Sequence, residues 1–258
     1  MRMDSNFETG AVLVIGGSGG IGSVIAREFG RAGADVALTY RTKKAAADET
    51  AAVIRALGRK ASAHELTVGD AASVQAAIDH VAQLHGRIHT IVYACATLTH
   101  QVWISEVTPE QWKTAIEQDV NGFYNVIHAA LPRFREWGGG SFVNIGSAGD
   151  LRWPDRDVLS VAPKAVIESL IKGIAREEGR HGIRANTVLV GVIEAGMFLE
   201  LTRQGVFDEA WCNEVQKGLC LKRWGQPEEI GYAAVFLASR RAAYVTGQQI
   251  AVAGGYGI

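Results

Sequence analysis

The 258-residue chain has little of what marks a secreted, membrane-spanning or nucleic-acid-binding protein. It has three cysteines, Cys95, Cys212 and Cys220, and none stands in paired metal-ligand spacing. An odd, sparse set fits reduced, mostly buried thiols and not a disulfide framework, and no metal is expected. No Pro/Ser-rich linker divides the chain, which holds five prolines in all, so one domain over residues 1–258 is expected. No apolar run approaches the roughly 18 residues that cross a bilayer. Residues 1–10 are polar, lack a signal-peptide core and are expected to fray. A cytoplasmic location without membrane association follows as an expectation. Charge of one sign is also missing: 26 basic residues meet 27 acidic ones, for a formal net charge of −1. Without a Lys/Arg block, nucleic acid is not an expected partner.

What the chain does have is apolar content, 48% of residues, enough for a sizeable core. It is distributed as short apolar runs alternating with longer helical patterns. Strand-like runs fall at 11–16, 35–40, 60–65, 88–95, 140–146, 184–190 and 248–252. Helical periodicity fills 20–32, 43–57, 71–85, 109–136, 160–179 and 227–239. Such alternation predicts βαβ units and an α/β, doubly wound parallel sheet of about seven strands with helices on both faces. The stretch 191–218 reads as irregular and carries Met197, Phe198, Leu201, Phe207 and Trp211. It follows the sixth strand, at the sheet edge where ligands bind in such folds, and reads either as a lid over an apolar pocket or as a surface helix pair.

The most informative segment is Val-Leu-Val-Ile-Gly-Gly-Ser-Gly-Gly-Ile-Gly, from Val12 to Gly22. A strand breaks into glycines and a helix starts at once. Glycines let the backbone approach a pyrophosphate, and the free amides and dipole of a helix N-terminus favour its charge. The second strand ends at Thr39-Tyr40-Arg41. An acid at position 40 would hold the ribose 2′-hydroxyl of NAD. Tyr40 cannot, whereas Arg41 could pair a 2′-phosphate, so NADP is favoured and NAD is the lesser option.

The spacing Gly16, Gly20, Gly22 does not stand alone. The chain also carries Asn144-Ile-Gly-Ser147, Lys164, Asn186-Thr-Val-Leu-Val-Gly191, Arg223-Trp-Gly-Gln-Pro-Glu-Glu-Ile230, Val245-Thr-Gly247 and Gly254-Gly255. Together, in order and over nearly the whole chain, these resemble the short-chain dehydrogenase/reductase family. The resemblance implies a Rossmann fold and NADP-dependent interconversion of a carbonyl and an alcohol, on a small and largely apolar substrate. It implies cofactor contacts from Gly16, Ser18, Gly20, Ile21, Gly22, Tyr40, Arg41, Ala94, Lys164, Gly191 and Ile193. It assigns the reacting centre to Ser147, Lys164, position 160 and position 119. In the family a tyrosine follows the serine by thirteen residues, and a lysine four residues later lowers its pKa and holds the cofactor ribose.

Here position 160 is Ser160, and the helix asparagine of the family is Asp119. A serine hydroxyl is far less acidic than a phenol and shorter in reach. Other departures fall where the nicotinamide would sit: Tyr93-Ala-Cys-Ala96 after the fourth strand, Val190-Gly191, and Ala195 in place of a threonine. They suggest altered or lost hydride chemistry. His100, Asp155, Asp157 and Glu194 are the groups that could replace the phenol, and Trp103 and Trp153 could line a pocket. Three readings remain: a slow NADP-dependent oxidoreductase, a redox-inactive nucleotide- or ligand-binding or regulatory protein, and a lyase or isomerase using His100 or the nearby acids. The helical patterns 109–136 and 160–179 are apolar on more than one face, through Trp112, Ile116, Phe123, Tyr124 and Ile127, then Val161, Ile167, Leu170, Ile171 and Ile174. That surplus predicts a homo-oligomer, dimer or tetramer.

Overall fold

The structure, a computed structural model, describes residues 6–258. Seven strands form one parallel sheet in the order β3-β2-β1-β4-β5-β6-β7. They are β1 Ala11–Ile15, β2 Asp35–Tyr40, β3 Ala61–Glu65, β4 Ile88–Tyr93, β5 Gly140–Ser147, β6 Ile183–Val190 and β7 Gln249–Val252. The helices are α1 Gly20–Arg31, α2 Lys44–Ala56, α3 Ala71–His85, α4 Pro109–Ala115, α5 Gly122–Glu136, α6 Val158–Glu178, α7 Met197–Arg203, α8 Glu209–Gly218 and α9 Pro227–Ala238. The strand order reverses between β1 and β4, and the crevice at such a switch point is where ligands bind in open α/β sheets.

The core lies in two layers, one on each face. Ile78, Val81, Phe123, Phe134, Ile167 and Ile171, from α3, α5 and α6, cover one side. Ile25, Phe29, Ile54, Ile230 and Leu237, from α1, α2 and α9, cover the other. β1 is buried from end to end, as its unbroken apolar run requires. No helix among the described residues is long and apolar enough to cross a membrane, and no group of three His, Cys, Asp or Glu among them could hold a metal ion.

Strand limits agree with the sequence reading to within two residues; three other expectations change. The pattern 109–136 is not one helix: α4 and α5 are joined by a π-helical turn, Ile116–Asn121. The Tyr93 hydroxyl reaches the carbonyl oxygens of Gln118 and Asp119, at 3.4 and 3.2 Å. A side chain inserted into the helical ladder widens it locally, and no periodicity reveals it. Segment 191–218 is helical and not irregular, since α7 and α8 occupy it. The expected fraying of residues 1–10 does not hold from residue 6 onward. Phe7 is buried against Phe29 and His89, and Asn6 accepts from the Arg240 amide; residues 1–5 lie outside the described chain. Of the surplus apolar groups, Phe123, Ile127, Val161, Ile167, Ile171 and Ile174 are buried within this chain, whereas Trp112 and Tyr124 stay exposed, as does Val166, which the pattern did not single out.

Candidate active site

The glycine turn is built by contacts too close for side chains. A Cβ on Gly22 would lie 2.3 Å from the Gly16 carbonyl oxygen, and one on Gly20 would lie 2.5 Å from the Gly196 nitrogen. Gly16 takes φ +85°, a left-handed conformation, and a Cβ there would meet the Ala94 carbonyl at 2.9 Å. Its amide donates to Thr39 Oγ1 at 3.1 Å, so Gly16 shapes the turn and does not offer that donor to a ligand. The donors that remain belong to the first turn of α1, which contains Gly20, Ile21 and Gly22. Gly19 caps this helix without a side-chain bond, and no acid sits in the first turn. Ser18, half-buried, lies on the same loop. A bare, positively polarised helix end beside a loop whose sole side chain is a small hydroxyl suits a dinucleotide pyrophosphate.

The neighbouring loops close this end of the sheet. Ala94 donates its amide to Ile15, which ties the β4 exit to the turn. Tyr40 is half-buried and Arg41 exposed at the end of β2, and the positive charge of Arg41 reaches Cys95. Gly191 packs against Ala253, where a Cβ would come within 2.7 Å of the backbone. Ile193 is buried and bridges to Gly225, while Glu194 is exposed and accepts from Gln226 Nε2 at 2.9 Å.

Ser147, at the end of β5, and Ser160 and Lys164, in the first turns of α6, form a shelf past the switch point. Lys164 Nζ folds back and donates to Ser160 Oγ at 3.2 Å and to the Ser160 carbonyl at 3.3 Å. Both residues are buried. Ser147 Oγ accepts from the Gly149 amide at 3.1 Å; among the described residues it has no bond to Ser160 or Lys164. Asp119 sits on the π-helical turn, buried, with Thr97 Oγ1 3.1 Å from its carboxyl. Burial pushes its pKa up, while the Lys164 ammonium and the Thr97 hydrogen bonds pull it down. Asp157, which accepts from Gln101 Nε2 at 2.9 Å, is raised by burial and lowered by Gln101 and Lys164. The lysine therefore acts on two carboxyls, and the structure brings together Asp119, Ser160 and Lys164 as one electrostatic unit.

The remaining candidates stand apart. His100, Asp155, Trp103 and Trp153 are exposed, and Trp103 stacks under the Arg156 guanidinium at 4.8 Å. Tyr93 is buried and packs edge-on against Phe123. In the 191–218 segment the aromatics contact one another: Phe207 stacks on Trp211 at 3.8 Å between centroids, and Phe198 meets Trp224 at 5.2 Å. α8 buries no residue and α7 only Leu201, so this pair is loosely attached to the core. Sequence reasoning missed Thr97, Gln101 and Tyr256. The last is a phenol in the C-terminal segment, where a Cβ on Gly257 would lie 2.9 Å from Leu151 Cβ. Burial, then Asp157 and Asp155, raises its pKa, against Arg152, which lowers it. Polar partners at long sequence distance leave no local pattern, so no signal in the sequence pointed to them.

Known proteins share this frame. The profile of a family described as enoyl-(acyl carrier protein) reductase matches residues 16–257. The 3-oxoacyl-(acyl-carrier-protein) reductase of Chlamydia muridarum is 32% identical over 253 residues, covering 98% of this chain and 99% of that protein. The enzyme of the same name from Pseudomonas aeruginosa is 33% identical over 243 residues, covering 94% of this chain and 95% of its own. Among solved structures, a gluconate 5-dehydrogenase of Burkholderia cenocepacia in complex with NADP and tartrate superposes with a TM-score of 0.88 at 30% identity, over 99% of this chain and 98% of that one. A blue fluorescent protein from a metagenomic library, in complex with NADPH, gives 0.86 at 29% identity, over 98% of this chain and 100% of that one.

Proposed function

The chain belongs to the short-chain dehydrogenase/reductase family of oxidoreductases, and we propose that within it this member binds NADPH but reduces carbonyl compounds only slowly, because Ser160 stands where the family places its proton-donating tyrosine. The observation that carries this reading is the contact of Lys164 with Ser160. The ammonium that would sustain a phenol is folded onto a short hydroxyl instead, at 3.2 Å.

The residues present fit the cofactor. The amides of Gly20, Ile21 and Gly22 and the Ser18 hydroxyl would hold the pyrophosphate; Arg41 would hold a ribose 2′-phosphate; Lys164 would hold the other ribose. Tyr40, Ala94, Gly191 and Ile193 would wall the site. NADPH, when bound, supplies a hydride to the carbonyl carbon. The chain must then steady the developing alkoxide and protonate it. Ser147 offers one hydroxyl donor. Ser160, with a pKa far above that of a phenol, is a poor acid, and the positive charge of Lys164 stabilises the alkoxide without delivering a proton readily. The relatives named as 3-oxoacyl reductases point to a 3-oxoacyl thioester as the first carbonyl to test, on the small and apolar end of that class.

A fluorescence titration with NADPH and NADH, followed by turnover on a panel of 3-oxoacyl thioesters and simple ketones, tests the proposal. Expected are tight NADPH binding and weak turnover. Rates typical of an efficient reductase would overturn the assigned consequence of Ser160, and absence of binding by either cofactor would overturn the whole reading. Binding with no turnover on any carbonyl would select the redox-inactive alternative. Self-association through the face bearing Trp112, Tyr124 and Val166 belongs to the same proposal; light scattering that shows a monomer at micromolar protein would remove it.

A further inference from the structure

Glu168 is a buried carboxyl with no part in the contacts described so far. It follows Lys164 by one turn of α6 and is 3% exposed. Its carboxyl lies over the end of β5. A Cβ on Gly146 would come 2.6 Å from Glu168 Oε1 and 2.7 Å from Thr187 Cγ2, so the missing side chain of Gly146 leaves room for the acid. Gln249, on β7, donates through Nε2 to Glu168 Oε2. Oε1 is buried and has no hydrogen-bond donor among the described residues. A carboxylate in that position lacks half of its solvation, whereas a neutral carboxylic acid there has a proton to give and needs an acceptor. The acceptor at hand is the side chain of Asp150, an exposed residue that hydrogen-bonds with Glu168.

Asp150 closes the short helical turn Ala148–Asp150, which starts at Ser147. Ser147 caps this turn itself, its Oγ accepting from the Gly149 amide at 3.1 Å. With the oxygen engaged there, the orientation of the Ser147 hydroxyl depends on the turn. The turn is seated on α6, where a Cβ on Gly149 would lie 2.5 Å from Val161 Cγ2. Two carboxyls side by side share one proton, since both cannot be ionised without mutual repulsion. Burial and then Asp150 push the pKa of Glu168 up to about 8, while the Ser147 amide and Lys172 lower it more weakly. Asp150 and Lys172 are the charged groups that act on it; the strands it faces bring Gly146, Thr187 and Gln249, none of them ionisable.

We propose that Glu168 is a positioning residue: it donates its proton to the Asp150 carboxylate, clamps the Ala148–Asp150 turn to α6 and so fixes the direction of the Ser147 hydroxyl. The role this serves rests on the reading of Ser147 as a hydrogen-bond donor to a carbonyl substrate. The clamp is closed while Glu168 holds its proton. It opens as pH rises through about 8, when two carboxylates come face to face.

The test follows the backbone amides of Ser147 and Gly149 by ¹H–¹⁵N NMR on the full chain, without cofactor, from about pH 6 to about pH 9.5. Both should titrate together, with an inflection near 8. Glu168→Gln should hold them at their low-pH positions throughout, because its carboxamide still donates to Asp150 and cannot ionise. Asp150→Ala should place them at their high-pH positions already at neutral pH. Asp150 is exposed, so its variant keeps the test valid even where a change at position 168 fails to fold. In turnover with NADPH, kcat should fall roughly two- to tenfold across the same inflection, the worth of one neutral hydrogen bond. Glu168→Gln should abolish that fall without altering NADPH affinity, which a merely structural role would not do. Amides that stay still in the unaltered chain, or titrate unchanged in Glu168→Gln, would overturn the clamp. Measurable turnover with a flat kcat profile, in a chain whose amides titrate, would overturn the positioning role. Amides that titrate as expected in a chain that turns over no carbonyl would uphold the clamp and overturn instead the reading of the site as a reductase.

Discussion

The glycine turn and the shelf beyond β5 meet at the same end of the sheet but are specified by different physics. The turn is steric: Cβ atoms on Gly16, Gly17, Gly20 and Gly22 would fall 2.9, 2.6, 2.5 and 2.3 Å from their neighbours, and from Gly16 to Gly22 it contains no ionisable side chain. The shelf is electrostatic: Asp119, Lys164 and Glu168 are buried there and Asp157 is half-buried. A steric cradle binds whatever fits it, at any ordinary pH. A charged shelf performs chemistry only with the right acid in place. Binding and reaction can therefore part company within one molecule, and under the proposed function Ser160 bears on the second.

The largest expected effect comes from placing a phenol at position 160. Ser160→Tyr should raise NADPH-dependent carbonyl reduction by roughly 10²–10⁴-fold, the usual contribution of a positioned general acid, as read from initial rates at saturating NADPH. If the variant binds NADPH normally and gains nothing, the fault lies in how the loops of Ala94 and Ala195 receive the nicotinamide, and the contrast between the two regions fails. If the unaltered chain already turns over fast, His100→Ala and Tyr256→Phe show which group delivers the proton.

Next in size is damage to the cradle. Gly22→Ala forces a methyl to within 2.3 Å of the Gly16 carbonyl, and overpacking of this kind costs about 1–3 kcal/mol. Urea denaturation should show that loss, and NADPH affinity should fall along with it. Arg41→Ala leaves the cradle intact. It should weaken NADPH by roughly 1–3 kcal/mol, the scale of a charge-assisted hydrogen bond, with little change for NADH. Equal losses for both cofactors would show that Arg41 does not read the phosphate.

The same division explains what was legible in the sequence. The glycine turn, the strands and most helices are local: a run of apolar residues or a cluster of glycines announces itself within a few positions. The π-helical turn escaped because it depends on Tyr93, on another strand, reaching the carbonyls of Gln118 and Asp119. The aromatic packing among Phe198, Phe207, Trp211 and Trp224 escaped for a related reason, since isolated large apolar residues fit a lid and a helix pair equally well. At the shelf the residues Ser147, Ser160, Lys164 and Asp119 could be named from the family resemblance, and Asp157 stood among the candidates, but the partners Thr97 and Gln101 come from loops whose approach no pattern encodes.

The last expected effect is a dependence of stability on pH that belongs to the shelf and not to the turn. Glu168 lies one helical turn beyond Lys164, 3% exposed. A Cβ on Gly146 would come within 2.6 Å of its Oε1, and Gln249 donates to its Oε2. Burial, then the adjacent Asp150 carboxyl, pushes its pKa from 4.5 to about 8, against the Ser147 amide and Lys172, which lower it. For an acid with a raised folded-state pKa, the folded chain holds a proton that the unfolded chain releases between about 4.5 and 8. Stability should therefore fall as pH rises through that window, by at most about 1.4 kcal/mol per pH unit, and level off above it. Glu168→Gln keeps a neutral group of the same shape and removes the proton, so its urea midpoints should flatten between pH 6 and 8, as roughly one titrating group demands. An unchanged slope in that variant would assign the dependence elsewhere and leave the shelf no more pH-sensitive than the turn.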